Sequence, residues 1–547
     1  MSRRDIWIAI ILGALAIVLG TLGSARSIPE VVEPALEPHY LPESWEPDDD
    51  NGIDDALRFL RNGTLRPADF IEAGFPKYYV AIVYAAVYRT SGRDLDALYA
   101  GNPGAFVREA YVTGFAVSAL FFALAVVFVY LTARRCCTAF ASLCAALLVA
   151  LNSGIVTHAH FAVFDVHLLF FEALLFFLIV RGSSPVRQAV AAGLMAATKY
   201  TGLLLFPIIP GVVCARTGTR PHARSLALWV LAVGVTFFVL NPYALIELPR
   251  FVHDLGVIYF TRSMFKGFQG TSLAFSTHLV NLSQTGLFFA VASLAALGSA
   301  LLTKRRSELQ TSGLIGFFTI YLLTGWSRQN AMRFSLPLCL PLALLAAPFV
   351  DRLMGKTRRW TRAIMCLGLL WSFAECCETV SMFYRDSRIQ ARSLVDQKGY
   401  RTVGSLGRMA YVQPAIPVGS LRQLRLGQPA PKQPDLYYRA QALYRRIRGL
   451  PPAETPPVRD STMDYYSANR DALDAAAPDA LVLSSFDVLR YFSQPAAYPQ
   501  TTRFLQDLTT GKLGYRLVAR FQTRTYLIRH VEFLNPEILV LERQKDP

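Results

Sequence analysis

Long apolar runs, parted by short polar stretches, fill the first 380 residues of the chain. A helix that crosses a bilayer needs roughly 20 apolar residues, with about 17 as a lower limit. By that measure the pattern predicts spans at 6–23, 108–132, 137–156, 164–180, 187–198, 200–215, 225–240, 284–303, 312–326, 334–350 and 362–380. The pieces 187–198 and 200–215 are short and read either as two spans or as one broken helix. The stretch from Phe75 to Tyr88 (FPKYYVAIVYAAVY) is also apolar. At 1.5 Å per residue it reaches only about 20 Å against a hydrocarbon core of about 30 Å, and its tyrosines suit an interfacial helix. Beyond 380 the period changes. Strand-like runs at 479–484, 515–521 and 537–541 alternate with helical stretches near 386–398 and 437–448, and the Pro-rich pieces 412–434 and 451–457 read as loops. The pattern thus predicts an α-helical polytopic membrane protein of about eleven spans (domain 1–380), followed by a small α/β domain (381–547).

Composition agrees. The 547 residues are 53% hydrophobic, and a mean hydropathy of +0.33 at that length is foreign to soluble domains. The net charge of +16 does not point to nucleic acid, because the basic residues sit in short clusters between the apolar runs. Arg3 and Arg4, Arg134 and Arg135, Arg181 and Arg187, Arg216 to Arg224, Lys304 to Arg306, and Arg352 to Arg362 all fall on one side when eleven spans are threaded. The positive-inside bias makes that side cytoplasmic. The regions 24–107, 241–283 and 381–547 then lie outside. A signal peptide is the alternative for the first run, although no small-x-small cleavage site follows it. All eight cysteines lie in or beside apolar segments, so neither a disulfide framework nor a zinc site is expected.

The threading gathers polar residues on the outer face. In WEPDDDNGIDDALRFLRNG, Asp48, Asp49 and Asp50 are consecutive, and Asn51 is placed to cap a helix carrying Ile53, Leu57 and Leu60. Adjacent carboxylates repel and raise one another's proton affinity, which suits a general base or a metal ligand; the plainer reading is a solvated acidic turn. Asp165, in HAHFAVFDVHLLFF, stands at the outer end of a span, where an ionised group is costly without a partner. Either it joins His158, His160 or His167 at a metal, or it caps the helix that follows. Lys199 at the next outer junction is a partner for Asp165 or for an anionic headgroup, or else it snorkels. Arg328 and Arg333 oppose the inside bias from a short outer loop, which suits phosphate, whether of a substrate or of bulk lipid.

At these residues the chain resembles the membrane glycosyltransferases of the C-type fold, in particular bacterial relatives of protein O-mannosyltransferases and of the aminoarabinose lipid A transferases. EPDDDNGIDDALRFLRNGTLRPADFIEAGFPKYY is similar to that family's first loop, with Glu46 in place of a His and Asp48-Asp49 in place of an Asp-Glu pair. HFAVFDVHLLFF, GLMAATKYTGLLLFP, VLNPYALIELPRFVHDL and RFSLPLCLPLALLAA resemble later family segments. The resemblance implies a polyprenyl-phosphate sugar as donor and Asp48 as general base. Asp49 becomes its acidic neighbour and Asp165 the second-loop carboxylate. Lys77, Lys199, Arg328, Arg333 and Tyr243 are the candidate substrate-binding residues. The expected reaction is inverting glycosyl transfer to an acceptor hydroxyl of a protein, lipid or glycan, on the periplasmic side of a bacterial inner membrane. No cofactor is required, because the leaving group is already a phosphate, and a divalent metal is left open. The rival classes are a transporter and a catalytically inactive membrane scaffold. A transporter would place its ionisable residues near the midplane and often shows inverted repeats; none is visible here.

Overall fold

The structure, a computed structural model, describes residues 2–544 apart from 30–40, 43, 47–49, 91, 93, 265–274, 326–330, 408, 417–420, 425–444, 447–463, 494, 497 and 529–532. The helices of the first 400 residues are α1 Arg3–Thr21, α2 Asp50–Asn62, α3 Gly74–Thr90, α4 Leu95–Gly101, α5 Pro103–Arg134 and α6 Ala139–Ala150. They continue as α7 Ser153–Ala159, α8 Phe164–Val180, α9 Pro185–Thr198, α10 Ile208–Thr217, α11 Ala223–Leu240 and α12 Pro242–Ile246. The series ends with α13 Leu248–Met264, α14 Ser276–Gln284, α15 Leu287–Leu302, α16 Glu308–Thr324, α17 Cys339–Arg385 and α18 Ser387–Lys398.

Each of the eleven expected spans coincides with a helix or a helix pair. Six segments among the described residues are long and apolar enough to cross a membrane singly, and α6 with α7 makes a seventh, bent by 57°. The remaining four, α8, α9, α15 and α16, have 14 to 17 residues. Large side chains of α1 (Trp7, Ile11), α11 (Leu231, Val239), α15 (Val291, Leu302) and the second half of α17 (Trp360, Leu367) face outward with more than half their surface open. Such a belt is a liability in water and at home in lipid. This is a multi-pass membrane protein.

Four details depart from the sequence reading. The expected span 137–156 is broken, because Asn152 accepts the Ile155 N–H (3.0 Å) and so starts a new helix, α7. The basic stretch 352–362 is not a loop. It is helical except at Thr357 (φ −139°, ψ 55°), where α17 kinks between its two spans. The segment 200–215 opens as a 3-10 turn, Tyr200–Leu205, distinct from α9. Finally, α2 starts at Asp50, which puts Asn51 inside its first turn rather than at its cap.

Two large apolar cores organise the helical part of the chain. One fills the bundle between α1, α5, α6, α8, α9, α16 and α17. The other lies beneath α2 and joins Trp45, Ile53 and Leu57 to Tyr84, Tyr111, Phe161 and Phe383. In α2, Ile53 and Leu57 face inward as the period predicts. The tyrosines Tyr84 and Tyr88 of α3 are buried in this second core rather than in headgroups, because α2 and α5 cover them.

The C-terminal region carries a five-stranded mixed sheet: β1 Val403–Ser405, β2 Leu421–Gln423, β3 Ala480–Ser484, β4 Tyr515–Phe521 and β5 Ile538–Arg543, in the order β2-β1-β3-β5-β4. β1 runs parallel to β2 and β3, while β5 is antiparallel to β3 and β4. The three expected strands are β3, β4 and β5; most of the expected helix 437–448 lies outside the described residues. The expected domain boundary at 381 falls inside α17, which runs on to Arg385. All eight cysteines are free thiols.

Candidate active site

The site is built where four distant segments meet. Asp165 lies in the first turn of α8, where a carboxylate suits the helix dipole. It is not the cap: that position is Val163, and no side chain bonds the free N–H groups there. The Asp165 carboxylate instead meets Lys199, with Nζ to Oδ1 at 2.5 Å. Lys199 occupies the single extended residue (φ −151°) between α9 and the turn Tyr200–Leu205, and that break brings its side chain to α8.

A second ion pair stands beside the first. Arg333 Nη1 donates to Glu46 Oε1 at 3.0 Å, and Glu46 is fully buried. Arg333 sits on the 3-10 turn Met332–Leu338, followed by Phe334. The Phe334 ring has the Lys199 ammonium 5.7 Å and the Arg333 guanidinium 5.5 Å from its centroid, so one aromatic plate carries both cations.

The residues that flank 47–51 on either side are fixed in place. Before it, Trp45 is buried, stacked on Phe383 (6.2 Å) with the Arg388 guanidinium 4.2 Å from its ring centroid. Arg388 is itself fixed by Asp386 (2.8 Å) and by the carbonyls of Ala410 and Phe533. After it, Gly52 presses on the residue next to Asp165. A Cβ built on Gly52 would come within 2.3 Å of the Phe164 ring, so only glycine permits this approach. Asp48, Asp49 and Arg328 lie outside the described residues; Asp50 is described as the first residue of α2.

Other candidates are placed elsewhere. Lys77 is buried in the joint between α2 and α3, with Nζ 2.6 Å from Asp55 and 3.9 Å from Asp69. Burial alone would pull its proton affinity down, but the charges of Asp55, Asp69 and Glu72 outweigh burial and hold it above the usual lysine value. Tyr243 packs beside Phe70 and Phe251, and its neighbour Asn241 accepts the Phe75 N–H at 2.8 Å, tying α12 to the start of α3. Two of the three histidines considered for a metal are engaged elsewhere: the His160 ring nitrogens lie 2.7 and 3.0 Å from the carbonyls of Val156 and Leu22, and those of His167 meet Tyr79 and Ser118, while His158 places Nδ1 2.8 Å from the Gly154 carbonyl. Among the described residues no group of three His, Cys, Asp or Glu side chains is arranged to hold a metal ion.

The sequence reading passed over Glu46 as a charge partner, Phe334 as the plate and Gly52 as the close approach. The available signals were an arginine adjoining an aromatic at 333–334 and a glycine following the acidic run.

The family model of the dolichyl-phosphate-mannose-protein mannosyltransferases matches residues 79–259, a stretch that includes Asp165 and Lys199. No curated protein sequence matches the chain. Among solved structures, ArnT from Cupriavidus metallidurans in the apo state superposes with a TM-score of 0.50 at 14% identity, covering 98% of each chain. The same protein bound to undecaprenyl phosphate gives 0.49 at 12% identity, covering 97% of each. The Archaeoglobus fulgidus oligosaccharyltransferase, tethered to an acceptor peptide, gives 0.49 at 13% identity over 93% of this chain and 72% of that one.

Proposed function

We propose that the chain, whose fold is that of the C-type membrane glycosyltransferases and whose residues 79–259 match the protein mannosyltransferase model, is a glycosyltransferase that transfers a sugar from a polyprenyl phosphate to an acceptor hydroxyl at the outer rim of the bundle. The observation that carries the reading is the meeting of Asp165–Lys199 and Glu46–Arg333 around Phe334, with Gly52 packed on Phe164. Carboxylates and cations from four segments converge beside the ends of lipid-facing helices, where a phosphate headgroup resides while its prenyl tail stays in the bilayer.

In this mechanism a carboxylate of the acidic run takes the proton from the acceptor hydroxyl; Asp48 is the choice by family resemblance, with Asp49 beside it. The hydroxyl oxygen bonds to the anomeric carbon from the face opposite the phosphate. The bond from that carbon to the phosphate oxygen breaks, its electron pair leaves with polyprenyl phosphate, and the configuration inverts. Lys199 and Arg333 stabilise the charge gathering on the leaving phosphate, and Arg328 belongs to the same outer loop. A preorganised contact of this kind is worth on the order of 3 kcal/mol in the transition state, about 100-fold in rate. Asp165 and Glu46 orient the two cations and keep them charged in a poorly solvated place. The leaving group is already a phosphate, so the chemistry above is complete with Lys199 bonded to Asp165 Oδ1 at 2.5 Å. No step is therefore routed through a metal. We assign the site to the periplasmic side of a bacterial inner membrane, from the charge asymmetry of the loops. We leave 381–547 as an outer domain of the same enzyme, with Tyr243 and the 241–283 segment facing the acceptor.

The test is transfer of labelled sugar from a panel of polyprenyl-phosphate donors by variants Asp48→Asn, Asp49→Asn, Asp50→Asn and Asp165→Asn in native membranes. One of the first three and Asp165→Asn should abolish transfer at unchanged folded yield. Full activity in all four would turn the reading into that of a scaffold.

A further inference from the structure

Arg333 sits on a turn that does not hold itself. Met332–Leu338 is a 3-10 segment with no side-chain cap and a proline, Pro337, within it. Its backbone is fixed instead by α14. The Asn281 side-chain amide Nδ2 donates to the carbonyl of Ala331 (3.3 Å) and to Ser335 Oγ (3.0 Å), two residues before Arg333 and two after it. One amide thus spans the arginine's peptide segment without touching the arginine's own side chain.

The network behind it has a single direction. Thr324 Oγ1 gives its proton to the Ile320 carbonyl (2.7 Å), so towards His278 Nε2 (2.8 Å) it accepts. His278 therefore carries its proton on Nε2, and its bare Nδ1 accepts from Ser335 Oγ (2.8 Å). Ser335, having donated, accepts from Asn281. The chain runs Asn281 to Ser335 to His278 to Thr324 to the Ile320 carbonyl, and each donor is used once. His278, Asn281 and Ser335 are all buried, and burial keeps His278 below the usual histidine range, which favours the neutral ring this chain requires. The same short helix also grips the approach to Asp165. The Thr285 carbonyl at its end accepts from Ser153 N (3.0 Å) and Ser153 Oγ (2.7 Å) at the start of α7, and a Cβ on Gly154 would strike both Met332 and Thr285.

We propose that Asn281, backed by Ser335 and His278, is a positioning residue for the phosphate-binding Arg333: α14 sets the register of the cation against Glu46 and Lys199. The inference rests on the phosphate role given to Arg333 above, and its test separates the two. The full-length protein in detergent is titrated with undecaprenyl phosphate, comparing wild type with Arg333→Ala, Asn281→Leu, Ser335→Ala, and each of the latter two combined with Arg333→Ala. Arg333→Ala should weaken Kd by 30-fold or more, on the order of 2 kcal/mol. Asn281→Leu and Ser335→Ala should each weaken it about five- to tenfold, and neither should weaken it further once Arg333 is gone. Ser335→Ala, the smaller change, reads the same coupling if Asn281→Leu fails to fold. Arg333→Ala binding as wild type overturns the phosphate role and the inference with it. An effect of Arg333→Ala, with Asn281→Leu and Ser335→Ala either silent or equally harmful in both backgrounds, overturns the positioning role alone.

Discussion

Asp5 and Asp165 are buried alike. Each side chain is 6% exposed, and each faces a cation from a neighbouring helix, Arg134 at 2.9 Å for the first and Lys199 at 2.5 Å for the second. They differ in how completely their oxygens are used. Asp5, in the first turn of α1, accepts from Ser2 N, Ser2 Oγ, Tyr130 Oη and Arg134 Nε, and it closes the capping box that starts the helix. Asp165, in the first turn of α8, accepts a single hydrogen bond among the described residues, from Lys199. A carboxylate has room for about four. On the function proposed above, this difference separates two roles: the saturated group fastens two helices, while the unsaturated one keeps capacity for something that arrives.

The sharpest way to break that comparison is to neutralise both groups. Asp165→Asn should reduce sugar transfer on the order of 1,000-fold, far beyond what the loss of its ion pair with Lys199 takes from the thermal midpoint. Asp5→Asn should do the reverse, lowering stability by about 2 kcal/mol through its weakened charge-assisted bonds while transfer per folded molecule stays within twofold. Measuring initial rates and detergent melting curves on the same preparations decides it, and matching profiles for the two variants would erase the distinction. Next, Lys199→Ala should cost on the order of 100-fold in kcat, and Lys199→Arg should recover part of that, as charge near the leaving phosphate requires. Third comes Lys77, a buried cation that we class with Asp5 rather than with Lys199. Lys77→Met should destabilise by about 3 kcal/mol, because Asp55 is left buried and under-compensated, and kcat for the folded fraction should hold.

The smallest effect concerns Glu247, between α12 and α13. Burial would raise its proton affinity, but hydrogen bonds from Arg66 and Arg250 outweigh burial and hold it below the usual glutamate range. A lowered folded value means stability that is present above the unfolded pKa and lost as pH falls through the folded one. Glu247→Gln should therefore cost under about 1 kcal/mol at neutral pH, and its melting temperature should converge on wild type in acid.

The sequence pattern reached some parts of this molecule and not others, for physical reasons. The spans were legible because apolar length is a local property, and so was the Asp165–Lys199 meeting, because an ionised group at the end of an apolar run needs a partner nearby. Glu46–Arg333 was not legible, since 287 residues separate the two and no spacing rule links them. The Thr357 kink was hidden because the lysines and arginines around it are good helix formers that also read as a loop. The break at Asn152 was within reach, as asparagine followed by serine in an apolar run is an N-cap signal. The Lys77–Asp55 pair was not legible either, because the carboxylate that meets the lysine comes from another helix, 22 residues away.

Trp45 fixes how this chain can be divided. Its indole rests on Phe383 near the end of α17 and under Arg388 in the first turn of α18, so the last turns of the bundle and the first residues leading to the sheet share one lid over the residue that precedes Glu46. A truncation after Tyr384 would strip the guanidinium from that ring and uncover one face of the indole. It would also release the strand of chain whose next members carry the acidic run. Cleaved there, the molecule yields not a catalytic half and a spare half, but one half with its first loop unmoored.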